Sequence, residues 1–133
     1  MKVVIGTCVD KINEHHIPLW LAHHNRYASK LVLVVDVIEK RNLSPQIYRI
    51  IEEYPKCIVH FLPFKWNEGS AYKFLHSLLE KESEEGGWVG IINIDEVFSD
   101  QNFMPILKEE QVDWLSFPTL RFYGDYFTIR VVS

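Results

Sequence analysis

Four short apolar runs, separated by segments with helical spacing, constrain most strongly what this 133-residue chain can fold into. The runs lie at residues 2–9, 31–36, 57–62 and 88–94. The second run reads Leu31-Val32-Leu33-Val34-Val35, and such an unbroken run is typical of a strand that is covered on both faces. Strands that alternate with helices favour a parallel sheet with right-handed crossovers. The sequence therefore predicts an α/β fold that is mostly parallel, three-layered and Rossmann-like.

The three segments between the runs carry residues that begin and end helices. Pro18 fits only the first turn of a helix, so the first helix is predicted to begin near Ile17. Ser44 can cap the second helix, and Pro45 suits its first position. The apolar face of the third helix is predicted to consist of Ala71, Phe74, Leu75, Leu78 and Leu79. We expect Gly86-Gly87 to end that helix.

The alternation of strands and helices ends after residue 98. A helical turn is predicted around residues 105–110, followed by a strand from Val112 to about Leu120. Residues 123–126 then read as a turn into a closing strand, 127–132, which we expect to pair antiparallel with the strand before it. Since no linker or low-complexity segment interrupts the sequence, residues 1–133 are predicted to form a single domain.

Charge and composition exclude several classes of partner. The 14 Lys and Arg residues stand against 18 Asp and Glu, giving a net charge of -4 with no dense basic run. We therefore expect no nucleic-acid partner. No stretch approaches the roughly 20 apolar residues of a membrane span, so we expect no membrane span and a cytoplasmic protein. Cys8 and Cys57 belong to no C-x-x-C pair, which predicts buried reduced thiols.

Polar side chains follow the predicted strands at the edge where open α/β sheets bind their ligands. They are Thr7 and Asp10 after the first strand, Asp36 after the second, Lys65 to Glu68 after the third, and Asn93, Asp95 and Glu96 at the fourth. Carboxylates converging on one crevice suit a hard divalent cation and a phosphorylated or polyhydroxylated ligand. The simpler interpretation is that acidic residues only solvate the strand ends. The histidines show no H-E-x-x-H spacing, so a zinc site is not predicted.

Three motifs, taken in order, resemble family-2-type glycosyltransferases with the GT-A fold. The first is Asn13-Glu14 followed by Trp20-Leu21-Ala22-His23-His24, and the second is Val34-Val35-Asp36 at the end of a strand. The third is the segment from Trp88 to Phe98, which is similar to the family's W-x-x-x-x-D-x-D-E-F pattern. The resemblance covers roughly residues 1 to 98. It implies a GT-A-type nucleotide-binding fold and an enzyme that depends on a nucleotide sugar.

The resemblance also implies roles for individual residues. The donor would be a UDP- or GDP-sugar, and the residues expected to bind it are Thr7, Asn13, Glu14, Asp36 and Asn93. Asp36 matches the acid that receives the base, while Asp95, with Glu96 beside it, matches the acid that holds Mn²⁺ or Mg²⁺ against the diphosphate. Asn93 stands where the family's D-x-D motif has its first acid, so it supplies no charge. No residue is marked as a general base, and the acceptor is unknown.

Two alternatives remain open at this level. A metal-dependent phosphoryl-transfer enzyme would use Asp36 and Asp95-Glu96 to hold Mg²⁺. A non-catalytic interaction module on a degenerate transferase scaffold would need neither the nucleotide nor the metal. A response to nucleoside diphosphates distinguishes the module from the transferase.

Overall fold

A computed structural model describes residues 2–98, 119–122 and 129–132 of the chain. The chain divides into two compact units, residues 1–94 and 95–133. In the first unit the elements are β1 (Val3–Val9), α1 (Ile17–His24), β2 (Lys30–Val35), α2 (Pro45–Glu52), β3 (Cys57–Phe61), α3 (Glu68–Glu82) and β4 (Trp88–Ile91). In the second unit they are β5 (Glu96–Phe98), β6 (Thr119–Phe122) and β7 (Ile129–Val132). That the two units constitute one domain stays a prediction.

The four strands of the first unit form an all-parallel sheet in the order β3-β2-β1-β4. The chain runs outward from β1 through β2 to β3 and then returns to the other side of β1 with β4. The predicted α/β fold with a mostly parallel, Rossmann-like sheet is confirmed. The direction of the crossovers reverses between β1 and β4, and this reversal is where open α/β sheets form a ligand crevice.

Helices cover both faces of this sheet. Right-handed crossovers place α1 and α2, which contact each other, on one face and α3 on the opposite face. The core under α3 consists of Val4, Val32, Val34, Leu75 and Leu79. Gly6 lies on the same face, and a Cβ atom added there would lie 2.7 Å from Leu79 Cδ2 and 2.8 Å from Leu75 Cδ1. The missing side chain at Gly6 therefore lets α3 pack directly on the central strand.

The predicted helix starts are confirmed. The first helix begins at Ile17 with Pro18 in its first turn, and the second begins at Pro45 after Ser44. The predicted end of α3 at Gly86-Gly87 is wrong, because α3 ends at Glu82 and the chain becomes extended at Ser83. Gly86 has a φ of 79°, so its role is to turn the chain toward β4.

The predicted fourth strand, residues 88–94, is shorter in the structure. β4 ends at Ile91, residues 94 and 95 lie in a turn, and Glu96 opens β5. The carbonyl of Ile92 accepts a hydrogen bond from Trp20 Nε1, whereas in a continued parallel ladder it would accept from β1. The sequence predicted that Asp95 and Glu96 lie at the carboxyl end of the fourth strand. This prediction is wrong, because β4 ends at Ile91.

The second unit contains an antiparallel sheet in the order β5-β6-β7. The predicted antiparallel pairing of the last two strands is confirmed. The predicted helical turn at 105–110, the start of the strand at Val112 and the turn at 123–126 lie outside the described residues. In the part of the chain that the structure describes, no helix is both long and apolar enough to cross a membrane.

Candidate functional site

β1 and β2 end side by side at the carboxyl edge of the first unit. Val9 pairs with Val35, and the Asp36 backbone N–H donates to the Val9 carbonyl at 2.8 Å. The pairing of β4 with β1 stops earlier, at Gly6 and Ile91. The end of β1 therefore projects beyond β4, on the side where the crossovers reverse direction.

Asp36 is the buried charge of this edge. The residue is only 9% exposed, and within the described residues its carboxylate has neither a hydrogen bond nor an ion pair. Burial raises the pKa of the Asp36 carboxyl, and the nearby Asp10 carboxylate raises it further. A carboxylate that is largely buried, has no donor and lies near a like charge is less favourable in its ionised form than one in water. Asp36 is thus suited to accept a hydrogen bond from a ligand.

Cys8 and Tyr72 lie next to Asp36 on the α3 face. Side chains alternate along a strand, so Cys8 shares the face of Val4, which packs under α3. Burial raises the pKa of the Cys8 thiol to about 11, with a further contribution from Asp36. Burial also raises the pKa of Tyr72 on α3, and the neighbouring Cys8 adds to that rise. Cys8 and Cys57 are free thiols, but both are half-buried and not fully buried as predicted. The raised pKa keeps the Cys8 thiol neutral near neutral pH.

Thr7 does not share this environment. It is 3% exposed and lies one residue before Cys8, so alternation places it on the opposite face of the sheet, the one covered by α1 and α2. The structure therefore does not bring Thr7 together with Asp36. The period of two along β1 was the signal that sequence reasoning could have used.

Polar side chains of the loop after β1 stabilise that loop by hydrogen bonds to its own backbone. Asp10 Oδ1 accepts from the backbone N–H groups of Ile12, at 2.8 Å, and Asn13, at 3.0 Å. In return Asn13 Oδ1 accepts from the Asp10 N–H at 2.8 Å. The side-chain oxygen Oδ1 of Asn13, a residue predicted to bind the nucleotide, therefore accepts a hydrogen bond that stabilises the loop.

Glu14 joins this loop to the start of α2. Its Oε2 accepts from the Ser44 N–H at 2.7 Å, and its Oε1 accepts from Ser44 Oγ at 2.7 Å and from Lys11 Nζ at 2.9 Å. Burial alone would raise the pKa of Glu14, but the hydrogen bonds from Ser44 and the Lys11 charge hold it below its usual value. Both carboxylate oxygens are engaged, so the arrangement favours a structural role over the predicted nucleotide contact. Ser44 takes the predicted cap position before α2, but its side chain makes no capping hydrogen bond and donates to Glu14 instead. No sequence pattern marked Lys11 as a partner of Glu14.

Trp20 positions the segment that carries Asn93. The residue is 1% exposed, and its Nε1 donates to the Ile92 carbonyl at 3.2 Å across the sheet edge. Asn93, the next residue, is exposed. The sequence predicted Trp20 as part of the apolar stripe of the first helix and of a motif, but not its bond to Ile92, because a bond that spans 72 residues leaves no local signal.

Asp95 and Glu96 begin the second unit. Asp95 is half-buried in a turn, and Glu96 is 8% exposed at the start of β5, where its Cα pairs with that of Arg121. Among the described residues there is no group of three or more His, Cys, Asp or Glu side chains that could hold a metal ion. The assignment of Mn²⁺ or Mg²⁺ to Asp95 and Glu96 stays a prediction.

The fold and the site together define an α/β protein whose parallel sheet carries a buried carboxylate at its carboxyl edge. Comparisons with models of protein families, with curated proteins and with solved structures found no match to this chain. The resemblance to family-2-type glycosyltransferases therefore rests on the three sequence motifs.

Proposed function

We propose that the protein binds a nucleoside diphosphate sugar at the carboxyl edge of its parallel sheet and acts as a glycosyltransferase. The observation that carries the proposal is Asp36, a 9% exposed carboxylate with no donor among the described residues. It stands one strand away from the β1–β4 reversal, where ligands of open α/β sheets bind. The order of the family-like motifs along the chain gives independent support.

In this proposal Asp36 recognises the base. An ionised Asp36 accepts a hydrogen bond from a ring N–H of uracil or guanine, and a bond to a charged acceptor is stronger than one between neutral groups. Asn93 hydrogen-bonds the ribose. A donor from the ligand also stabilises the ionised form of Asp36 against burial and the nearby Asp10 charge, which adds to the ligand's binding energy.

Asp95 and Glu96 are the residues proposed to hold Mn²⁺ or Mg²⁺. Such a cation neutralises the charge that develops on a departing diphosphate. The described residues supply no complete set of protein ligands, and one or two carboxylates are enough only when phosphates and water provide the remaining ligands. The remaining ligands of the cation are therefore proposed to come from phosphate and water.

A thermal-shift measurement tests the proposal. UDP or GDP with Mn²⁺ is expected to raise the melting temperature, and ligand at about 100 times its dissociation constant adds about 2.7 kcal/mol. Asp36→Leu should abolish the shift, whereas the matched control Glu53→Leu, at an exposed position after α2, should keep it. A flat response of the unaltered protein to every nucleotide, with metal present, would exclude the proposal.

The metal contribution is tested separately with Asp95→Ala. This variant is expected to remain folded and to lose the part of the shift that depends on Mn²⁺. If the variant instead keeps the full Mn²⁺-dependent shift, Asp95 is not a ligand of the cation.

A further inference from the structure

The loop that follows β3 begins directly beside Asp36. The Leu62 backbone N–H donates to the carbonyl of Val35 at 2.9 Å, and Val35 immediately precedes Asp36. Two large aromatic side chains come next, Phe64, which is 39% exposed, and Trp66, which is 43% exposed. We call Phe64 and Trp66 the aromatic rim.

Both rings of the aromatic rim are fixed by partners on or near the first turns of α3. Phe64 meets Phe74 with ring centroids 6.1 Å apart and planes at 81°. Trp66 meets Tyr72 with centroids 6.3 Å apart and planes at 74°. Near-perpendicular contacts of this kind are favourable for aromatic pairs. The rings are thus held in defined orientations while a large part of each remains in contact with water.

The surroundings of the aromatic rim are polar. Residues 63–70 are all exposed, and they place Lys65 between the two rings and Glu68 just after Trp66. Within the described residues neither Lys65 nor Glu68 makes an ion pair. A ligand suited to this loop needs apolar faces for the rings and hydrogen-bonding groups at its edges. Pyranose sugars combine the two, because their ring C–H groups form faces and their hydroxyls project around them.

Tyr72 connects the aromatic rim to the buried carboxylate. It contacts Trp66 on one side, and it lies close enough to Cys8 for the two groups to interact electrostatically. Cys8 interacts in the same way with Asp36. Cys8 and Tyr72 also pack against the same buried cluster, which contains Val34, two residues before Asp36. The rim therefore lies on the α3 side of the sheet, and its loop begins beside the strand that ends at Asp36.

We propose that Phe64 and Trp66 bind a saccharide ring, and that this saccharide is the acceptor of the transferase. The second part of the inference rests on the proposed function. The C–H face of a pyranose carries partial positive charge, which is attracted to the negative face of an aromatic ring. Lys65 and Glu68 serve its hydroxyls as donor and acceptor.

The experiment titrates the full chain with cellotetraose, maltotetraose and chitotetraose, each followed by calorimetry and tryptophan fluorescence. At least one tetrasaccharide should bind, and Trp66→Ala should weaken that binding by about tenfold or more, as the loss of a stacking ring does elsewhere. Trp66→Phe should retain most of the affinity. The matched control is Phe61→Ala, since Phe61 is 51% exposed but pairs with Val35 and so lies on the opposite face of the sheet.

Several outcomes would overturn the rim site. They are the absence of binding to all three tetrasaccharides, equal binding by Trp66→Ala, and equal losses in Trp66→Ala and Phe61→Ala. Binding to phosphatidylcholine vesicles in place of the sugars, lost in Trp66→Ala, would also overturn it, since the rim would then contact lipid.

The UDP and GDP thermal shifts, measured on the same proteins, separate this inference from the proposed function. A normal nucleotide shift in Trp66→Ala together with lost saccharide binding supports the inference and shows that the variant is folded. Saccharide binding without any nucleotide response upholds the rim as a sugar site but overturns its role as the acceptor site. A nucleotide response without saccharide binding overturns the rim alone.

Discussion

Asp36 and Asp10 place two carboxylates near each other at the ends of neighbouring strands, and only one of them has donors. Asp10 accepts hydrogen bonds from two backbone N–H groups. Asp36 is largely buried, has no donor among the described residues and lies near the like charge of Asp10. Burial and Asp10 raise the pKa of Asp36 in the folded protein above its unfolded value. The folded state therefore binds more protons in the interval between these two pKa values, and stability falls as the pH rises through the folded pKa.

We predict that Asp36→Asn stabilises the protein at neutral pH, where the native carboxylate is ionised. The gain should be on the order of 1 kcal/mol, the size of other effects from buried polar groups. It should disappear as the pH falls and the native carboxyl becomes protonated. Urea unfolding of both proteins across this range measures the difference. Unchanged stability at neutral pH would mean that Asp36 is adequately solvated as it stands.

Cys8 reports on the charge of Asp36. Burial and Asp36 raise the pKa of Cys8 to about 11, while burial alone raises that of Cys57 to about 12. Since the thiolate is the reactive form, both thiols should react far more slowly with a disulfide reagent in the native than in the unfolded protein. Asp36→Asn should speed the reaction of Cys8 and leave Cys57, the internal control, unchanged. Equal acceleration of both would indicate general loosening of the fold instead.

The sequence identified Asp36 correctly as a strand-end acid but could not assign its neighbours. Asn13 and Glu14 carry the right chemistry for a ligand, yet their side chains engage the loop and Ser44. Residue type predicts what a side chain can bind, while its partner depends on which loops meet in space. Ser44 is thirty positions from Glu14 in the sequence, so no local pattern links them.

At the scale of elements, α1 controls the course of the chain after β4. The fully buried Trp20 holds the Ile92 carbonyl. We predict that Trp20→Phe costs about 1–3 kcal/mol, because it leaves a carbonyl without its donor. Hydrogen exchange should also become faster around residues 92–94. Leu21→Ala on the same helix should destabilise the protein without this local effect, and an identical exchange pattern in both variants would contradict the prediction.

The close contact of α3 with β1 depends on Gly6, which has no side chain. Gly6→Ala would force a Cβ atom against Leu75 and Leu79, and overpacking of this kind costs about 1–3 kcal/mol. Gly69→Ala is the matched control, because its nearest neighbour would be Asn67 Oδ1 at 3.7 Å. Gly69 lies in the exposed first turn of α3, so alanine there should stabilise the helix by about 0.5–1 kcal/mol. Chemical denaturation of the two variants should therefore give changes of opposite sign.

The starts of the helices were predictable because they depend on local covalent geometry. Pro18 and Pro45 fix the backbone and lack an N–H group, so each can occupy only the first turn. The end of β4 was not predictable, since Ile92 and Ile94 continue the apolar pattern past Ile91 and only Asn93 interrupts it. Just past the end of β4, the Ile92 carbonyl accepts from the indole of Trp20, a distant partner that no sequence window contains.

At the scale of the whole molecule, the boundary between the two units falls between Ile94 and Asp95. The family-like motif Asn93-Ile94-Asp95 therefore spans two units, although the sequence placed it on one strand. In a strand, side chains two residues apart point to the same side. Asn93 and Asp95 need not do so, because neither residue lies in a strand. Apolar periodicity could predict the parallel sheet, but no linker-like composition marks the boundary between Ile94 and Asp95.

The position of β1 in the sheet also has a consequence for the order in which the protein can be made. Its partners are β2, which follows soon after it, and β4, whose pairing joins Val3 to Trp88. During synthesis on the ribosome, β1, β2 and β3 can pair before residues 88–91 have been made. Until then one edge of β1 has no partner strand. An open edge of this kind can pair with other chains. The large separation of β1 and β4 in the sequence favours slow completion of the sheet, because distant pairings form later than local ones.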